Sequence, residues 1–151
     1  MSNKIFFPVI AFVLIAILGI TLVVNPSYER SLEAKYYYEM GEYEDAYELA
    51  TEAFELDRYN RMASTIMAQS KTSLKYVKYI NEAKGYMKQI NDMAQNETIT
   101  MAQRAKIKLM SEIMVKSYVK LAPSVITDSA LVQEAKKYYD DFENLLEKVN
   151  R

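Results

Sequence analysis

The amino-acid sequence predicts an all-α protein. Its 151 residues contain only 3 glycines and 3 prolines, the residues that most often interrupt helices. Half of the residues are hydrophobic, and along most of the chain they recur at steps of three and four, which places side chains on one face of an α-helix. We therefore expect helices throughout, arranged as one folded domain with a short N-terminal appendage.

Two missing residue types restrict the chemistry of the chain. It has no cysteine and no histidine. Disulfides, thiolate nucleophiles, Ser-His and Cys-His arrangements and the usual zinc ligand sets are therefore excluded. Isolated glycines cannot build a phosphate-binding loop. The densest carboxylates, at 42–45 and 140–141, point in different directions on a helix. We expect no enzymatic activity, no cofactor and no metal.

Residues 1–25 form the appendage, a short tail followed by an uncharged apolar run at 5–24. A helix of about 20 residues spans about 30 Å, the thickness of the hydrocarbon core of a bilayer. No small-x-small pair follows the run, so we expect an uncleaved anchor and not a cleaved signal peptide. Basic residues near the two ends are almost balanced. The compact positive N-terminus favours a single-pass protein of a bacterial-type inner membrane with a periplasmic C-terminal domain, 26–151.

The first helix of that domain is predicted from its start and stop signals. Pro26 cannot continue a preceding helix, and Ser27 is a good N-cap, because its hydroxyl accepts a hydrogen bond from a backbone N–H. We expect a helix from Tyr28 to Met40. Gly41 closes it, since glycine adopts the left-handed conformation without a Cβ penalty.

A second helix follows at once and folds back on the first. Its apolar positions are Tyr43, Ala46, Leu49 or Ala50, and Ala53 or Phe54, which recur at steps of three and four. The small alanines let two helix backbones approach closely, and Tyr37 and Tyr43 fill the space between them. The hairpin has to pack against a further element.

This hairpin resembles the tetratricopeptide repeat, a helix-turn-helix unit of roughly 34 residues. The resemblance covers 27–60 and rests on Ala34, Tyr37, Gly41, Tyr43, Ala46 and Ala53. The sequence departs from the family at Arg58, where the family usually has a proline, and at Arg30, where it has a tryptophan. The resemblance implies a right-handed stack of helical hairpins with a concave face.

The resemblance also implies where a protein partner binds, because the first helix of each hairpin lines the concave face. The implied positions are Tyr28, Ser31, Lys35, Tyr38 and Glu39 in the first repeat and Met62, Thr65 and Gln69 in the next. We expect these residues to contact the partner.

Beyond residue 60 the helical pattern continues, and we place two degenerate repeats at 61–95 and 98–150. No glycine follows Ala68 in the way that Gly41 follows Ala34, so 71–73 is either a tight turn or part of a continuous helix. An apolar stripe then extends over Leu74, Val77, Ile80, Ala83, Met87, Ile90 and Met93. Gly85 lies inside this helix, where we expect it to let a neighbour pack closely.

Two more helices are predicted towards the C-terminus. The first carries Ala102, Ala105, Leu109, Ile113 and Val119 and stops at Pro123. The second is capped by Thr127 or Asp128 and carries Leu131, Ala135, Tyr138, Phe142, Leu145 and Val149. With the earlier hairpins, residues 26–151 are expected to form about six helices.

Charge is unevenly distributed, although the net charge is only −1. Residues 25–58 carry a net charge of −7, and residues 59–126 carry +7. No pattern of a nucleic-acid-binding fold accompanies the basic segment, so we expect no nucleic acid partner. The opposite charges predict a homo- or hetero-oligomer in which the acidic first hairpin meets the basic middle. Tyr28, Tyr38 and Tyr59 are the expected apolar anchors.

Together these features predict a membrane-anchored helical-repeat scaffold or adaptor that holds a protein partner at the membrane. By architecture alone, such proteins are typical of motility, pilus and secretion machineries. The alternatives are a transient assembly factor and a ligand-responsive membrane-anchored domain. A stoichiometric, detergent-stable partner would favour the scaffold.

Overall fold

The computed structural model describes residues 3–95, 98–122 and 127–150. These residues form six helices and no strands, so the all-α prediction is confirmed. The helices are α1 (Asn3–Val24), α2 (Pro26–Glu39), α3 (Tyr43–Leu56), α4 (Arg61–Ala94), α5 (Met101–Tyr118) and α6 (Ser129–Asn150). Five of them follow residue 25, whereas about six were predicted, because α4 is continuous through 71–73, one of the two alternatives left open there.

The prediction of a transmembrane anchor at 5–24 is wrong. Among the described residues, no helix is long and apolar enough to cross a membrane. A helical span needs about 20 consecutive apolar residues. The single-pass inner-membrane localisation and the periplasmic placement depended on that anchor, so they are wrong as well.

By its contacts the chain divides into two units, Met1–Lys71 and Thr72–Arg151. The first unit contains α1, the α2–α3 hairpin and the start of α4, and the second contains the rest of α4 with α5 and α6. The core of the first unit is built from Ala34, Ala46, Ala50 and Ile66. Partly buried side chains pack against it, namely those of Tyr37, Tyr38, Leu49, Met62 and Met67.

The turn between α2 and α3 is closed by Gly41, whose φ is +83°. The N–H of Gly41 donates to the carbonyl oxygen of Tyr38 at 3.1 Å, and the N–H of Glu42 donates to that of Tyr37 at 2.9 Å. This pair of bonds is the Schellman arrangement, which satisfies the last carbonyls of a helix. A Cβ added at Gly41 would meet no atom within 4 Å. The backbone conformation alone therefore requires glycine.

α2 starts from a different cap than predicted. The N-cap is Asn25, whose side-chain oxygen accepts the N–H of Ser27 at 3.0 Å. Pro26 occupies the first turn of the helix, where its missing N–H leaves no bond unmade. Ser27 lies inside the helix, and its buried hydroxyl donates to the carbonyl oxygen of Ala53 at 2.8 Å.

α4 is a single helix of 34 residues that continues through 71–73, so the continuous alternative is the one that the structure shows. Ser70 and Ser73 are completely buried on this stretch, which places it in packed structure and not in a surface turn. A Cβ at Gly85 would meet no atom within 4 Å. The prediction that Gly85 allows close packing of a neighbour is therefore wrong.

The second unit has its own core, formed by Tyr76, Tyr79, Ile80, Ala83, Ile90, Ile107, Met110, Met114, Leu121, Ala135 and Phe142. α6 follows its predicted pattern, since Leu131, Tyr138, Leu145 and Val149 also pack against this core. Asp128 caps α6 by accepting the N–H of Ala130 at 2.8 Å. The predicted helix stop at Pro123 lies outside the described residues.

α5 turns a different face towards the core than the predicted one. Its buried residues are Ile107, Met110, Ser111 and Met114. The predicted stripe is exposed, and it forms a surface that we name the α5 face: Ala102, Ala105, Leu109 and Ile113. Both sets recur at helical spacing, so periodicity alone cannot choose between them. The structure leaves the α5 face uncovered, with Leu109 at 58% and Ile113 at 39% exposure.

Candidate functional site

A groove of about 490 Å³ lies between α2 and the first turns of α4, within the first unit. The residues that line this α2–α4 groove are Lys35, Tyr38, Glu39, Arg61, Met62, Thr65, Ile66 and Gln69. Six of the eight positions that the repeat resemblance implied for a partner are among them: Lys35, Tyr38, Glu39, Met62, Thr65 and Gln69. Arg61 and Ile66 were not predicted.

The floor of the α2–α4 groove is apolar and is supported by the core. Ile66 is only 4% exposed, and Tyr38 and Met62 pack against the cluster to which Ile66 belongs. The ring of Tyr38 meets the ring of Tyr43 at 68°, with centroids 5.3 Å apart. Edge-to-face pairs of this kind restrict the orientation of an aromatic side chain. The shape of the floor is therefore set by packing.

The rim of the α2–α4 groove is charged. Lys35 Nζ lies 3.6 Å from a carboxylate oxygen of Glu39, an i,i+4 pair along α2. Arg61 is exposed at the start of α4 and forms no ion pair with any described residue. Thr65 and Gln69 add hydrogen-bonding groups one and two turns further along α4. The groove thus combines apolar, ionic and hydrogen-bonding surface.

Tyr28 and Ser31, the other two predicted positions, are placed elsewhere. Tyr28 is half-buried and does not line the α2–α4 groove. Ser31 is completely buried, and its hydroxyl donates to the carbonyl oxygen of Ser27 at 2.8 Å. The residue immediately before α4 packs against this part of α2 and covers it. The groove positions further along α2 remain open.

That covering residue is Asn60, which the sequence analysis missed. Its side-chain amide donates to the hydroxyl oxygens of Ser27 and Ser31, both at 2.8 Å. Its side-chain oxygen accepts the N–H of Ala63 at 3.1 Å, which caps the start of α4. The available signal was an asparagine immediately before a helical pattern. Asn60 thereby fixes the start of α4 against α2.

A second groove, of about 330 Å³, lies on the α2–α3 hairpin. We name it the acidic groove, and its lining residues are Glu33, Tyr37, Asp45, Glu48, Leu49 and Glu52. Arg30 lies 3.7 Å from Glu33 and 3.5 Å from Glu52. Asp45 and Glu48 form no ion pair with any described residue. In the sequence the acids of this hairpin form a block of charge, and their spacing does not indicate a concave surface.

The side chains of these two grooves limit the chemistry that they can support. Within the described ranges, no cluster of three or more His, Cys, Asp or Glu residues could hold a metal ion. The hydroxyl groups of Tyr38 and Thr65 have no histidine or cysteine to work with anywhere in the sequence. What the side chains offer is apolar contact, ion pairing and hydrogen bonding.

Comparison with protein-family models, with curated proteins and with solved structures finds no match for this chain. The assignment to the tetratricopeptide repeat family is therefore wrong, since neither a family model nor a relative supports it. The pattern at 34–53 describes a closely packed helical hairpin, and many unrelated helical proteins contain such a hairpin.

Proposed function

We propose that this chain is a non-catalytic scaffold or adaptor that holds a segment of a partner protein in the α2–α4 groove. The observation that carries the proposal is the combination of an apolar floor with a charged rim on a preformed concave surface. Its volume, about 490 Å³, falls in the range of roughly 300–1,000 Å³ that is usual for binding pockets.

The floor suits the apolar side chains of a peptide segment. Tyr38 and Met62 are half-buried, so each offers part of its apolar surface to a ligand while the rest is held by the core. Binding energy in protein interfaces concentrates on a few apolar or aromatic anchors that become fully desolvated. Thr65 and Gln69 supply partners for the backbone amides of the segment, which would otherwise lose hydrogen bonds to water.

The walls of the groove also favour binding because they are fixed in advance. Asn60 bonds α4 to α2 at one end, and the Tyr38–Tyr43 ring pair restricts the floor. A preorganised site loses less conformational entropy when the partner binds, so more of the contact energy appears as affinity.

Site-directed photo-crosslinking in the native cell tests the proposal. A benzoylphenylalanine is placed at Thr65, inside the groove, and separately at Lys71, which is exposed on the same helix outside the groove. We expect one defined protein to be trapped from position 65 and not from position 71. Mass spectrometry of the crosslinked peptides should assign a single segment of that protein to the groove.

A blocking variant provides the second arm. Thr65→Trp fills the groove without touching a buried position, and Lys71→Trp is the matched control on the same helix. We expect Thr65→Trp to abolish recovery of the trapped protein with an affinity-tagged chain, whereas Lys71→Trp retains it. Equal recovery by both variants, or equal crosslinking from positions 65 and 71, would show that the groove is not the binding site.

A further inference from the structure

The α5 face is an apolar surface that nothing in the described structure covers. Leu109 is 58% exposed and Ile113 is 39% exposed, and they lie one turn apart with Ala102 and Ala105 on the same side of the helix. Contiguous exposed apolar surface on a helix commonly marks a protein interaction site. This face belongs to the second unit and is distinct from the α2–α4 groove.

Cations flank the α5 face. Lys106 and Lys108 are exposed on either side of Leu109 and form no ion pair with any described residue. Lys116 lies one turn beyond Ile113 and is 3.9 Å from Glu112. With four basic residues and one acidic residue, α5 carries a net charge of +3. An occupant of this face therefore needs apolar anchors surrounded by carboxylates.

The chain carries such a surface itself, in the acidic groove of the first unit. Tyr37 and Leu49 provide apolar side chains in that groove. Asp45 and Glu48 are exposed carboxylates without an ion-pair partner among the described residues. The five acidic residues of α3, with no basic residue, give this helix a net charge of −5.

We propose that the α5 face of one copy docks on the acidic groove of a second copy. Leu109 and Ile113 cover the apolar centre of the groove, and Lys106 and Lys108 meet Asp45 and Glu48. The two surfaces are different, so the contact is head-to-tail, and it generates rings if the rotation closes and filaments if it does not. This contact replaces the tyrosine anchors expected from the sequence with Leu109 and Ile113.

Disulfide trapping between differently tagged full-length chains tests the contact, because the natural chain has no cysteine. One copy carries Glu52→Cys, in the acidic groove, and the other carries Leu109→Cys, on the α5 face. The matched control replaces Leu109→Cys with Gln133→Cys, which is exposed on α6. We expect mixed-tag disulfides with position 109 at least about tenfold above those with position 133, and a marked decrease in 1 M salt, where the Debye length falls to about 3 Å.

Charge reversal and its rescue complete the test. Lys106→Glu with Lys108→Glu on the Leu109→Cys copy should lower the disulfide yield several-fold. Asp45→Lys with Glu48→Lys on the other copy should restore it. All four positions are exposed, and circular dichroism checks that every variant is folded. Equal yields from positions 109 and 133, or a yield that charge reversal leaves unchanged, would overturn the proposal.

Discussion

The amide nitrogen of Asn60 lies 2.8 Å from the hydroxyl oxygens of both Ser27 and Ser31. The two hydrogens of one amide group are thus both used, and its oxygen accepts the N–H of Ala63. Ser27 in turn bonds to α3, because its hydroxyl donates to the carbonyl oxygen of Ala53. Asn60 and Ser27 therefore together join the starts of α2 and α4 and the end of α3.

Asn60→Ala should destabilise the first unit strongly. It removes an N-cap, worth about 0.5–2 kcal/mol, and leaves buried hydroxyls with fewer partners, at about 1–3 kcal/mol. We expect the free energy of unfolding to fall by about 2–4 kcal/mol in chemical denaturation. Hydrogen exchange should place the loss in α2 and the start of α4. Asn91→Ala, at an exposed position of α4, is the control and should change stability by less than about 0.5 kcal/mol.

Gly41 and Gly85 should respond to alanine in opposite directions. Gly41 has φ +83°, so Gly41→Ala forces a left-handed alanine and should cost about 1–2 kcal/mol. Gly85 is inside α4, and an added Cβ there meets no atom within 4 Å. Gly85→Ala should therefore stabilise by about 0.5–1 kcal/mol. Thermal melts of the two variants provide the comparison, and changes of the same sign would contradict the assigned turn.

Tyr79→Phe should stabilise the second unit. The hydroxyl of Tyr79 is buried and has no hydrogen-bond partner among the described residues. Its removal should raise the free energy of unfolding by about 1 kcal/mol at neutral pH, because an unsatisfied buried polar group is costly. Tyr139→Phe is the control, since that hydroxyl donates to Glu143 at 2.9 Å on the surface. Its effect should be zero or slightly destabilising.

The burial of Tyr79 also predicts that the free energy of unfolding depends on pH in the alkaline range. Burial, and secondarily the neighbouring Tyr118 and Tyr139, raise the pKa of Tyr79 above its ordinary value of 10.0. The unfolded chain therefore loses this proton at lower pH than the folded chain does. The contribution of this proton to the free energy of unfolding is fully present below pH 10 and decreases as the pH rises above it. Denaturation midpoints between pH 9 and pH 11 should fall less in Tyr79→Phe than in the natural protein. Parallel decreases would show that Tyr79 is not the group responsible.

The orientation of α5 can be tested by truncating one residue on each face. Met114 is completely buried, so Met114→Ala should cost about 2–5 kcal/mol. Leu109 is exposed, so Leu109→Ala should change the free energy of unfolding by less than about 0.5 kcal/mol. A large loss from Leu109→Ala, measured by urea denaturation, would mean that the predicted stripe is the buried one.

Local sequence signals were sufficient to predict a feature of the fold where only one residue type can adopt the backbone conformation that the feature requires. The glycine at position 41 stands where only a left-handed residue closes the hairpin. The α6 stripe was also predicted well, because its apolar residues form one unbroken face and the opposite face is polar. Six of the eight positions predicted to contact a partner line one groove, since they follow the spacing of the open face of two neighbouring helices, while partner binding itself stays a prediction.

The role of Asn60 was harder to predict from the sequence, because a single polar residue forms no periodic pattern. Its role depends on two serines about thirty residues earlier, and their distance from it is a property of the folded chain. The prediction that Ser31 is exposed in the groove is wrong for the same reason, because the residue is completely buried. A helical position predicted to face a groove is buried when a capping side chain from another helix covers it.

The sequence by itself determined the helical class, the α2–α3 hairpin with its glycine, the core face of α6 and the segregation of negative and positive charge, because each depends on residues close together in the chain. Only the tertiary structure decided which of two apolar stripes of α5 is buried, that α4 runs unbroken through 71–73, and that Asn60 and Ser27 together join α2, α3 and α4. These outcomes depend on which surfaces meet in space. Burial is assigned by the packing partner, and a helix that carries two apolar faces does not reveal which one its partner will cover.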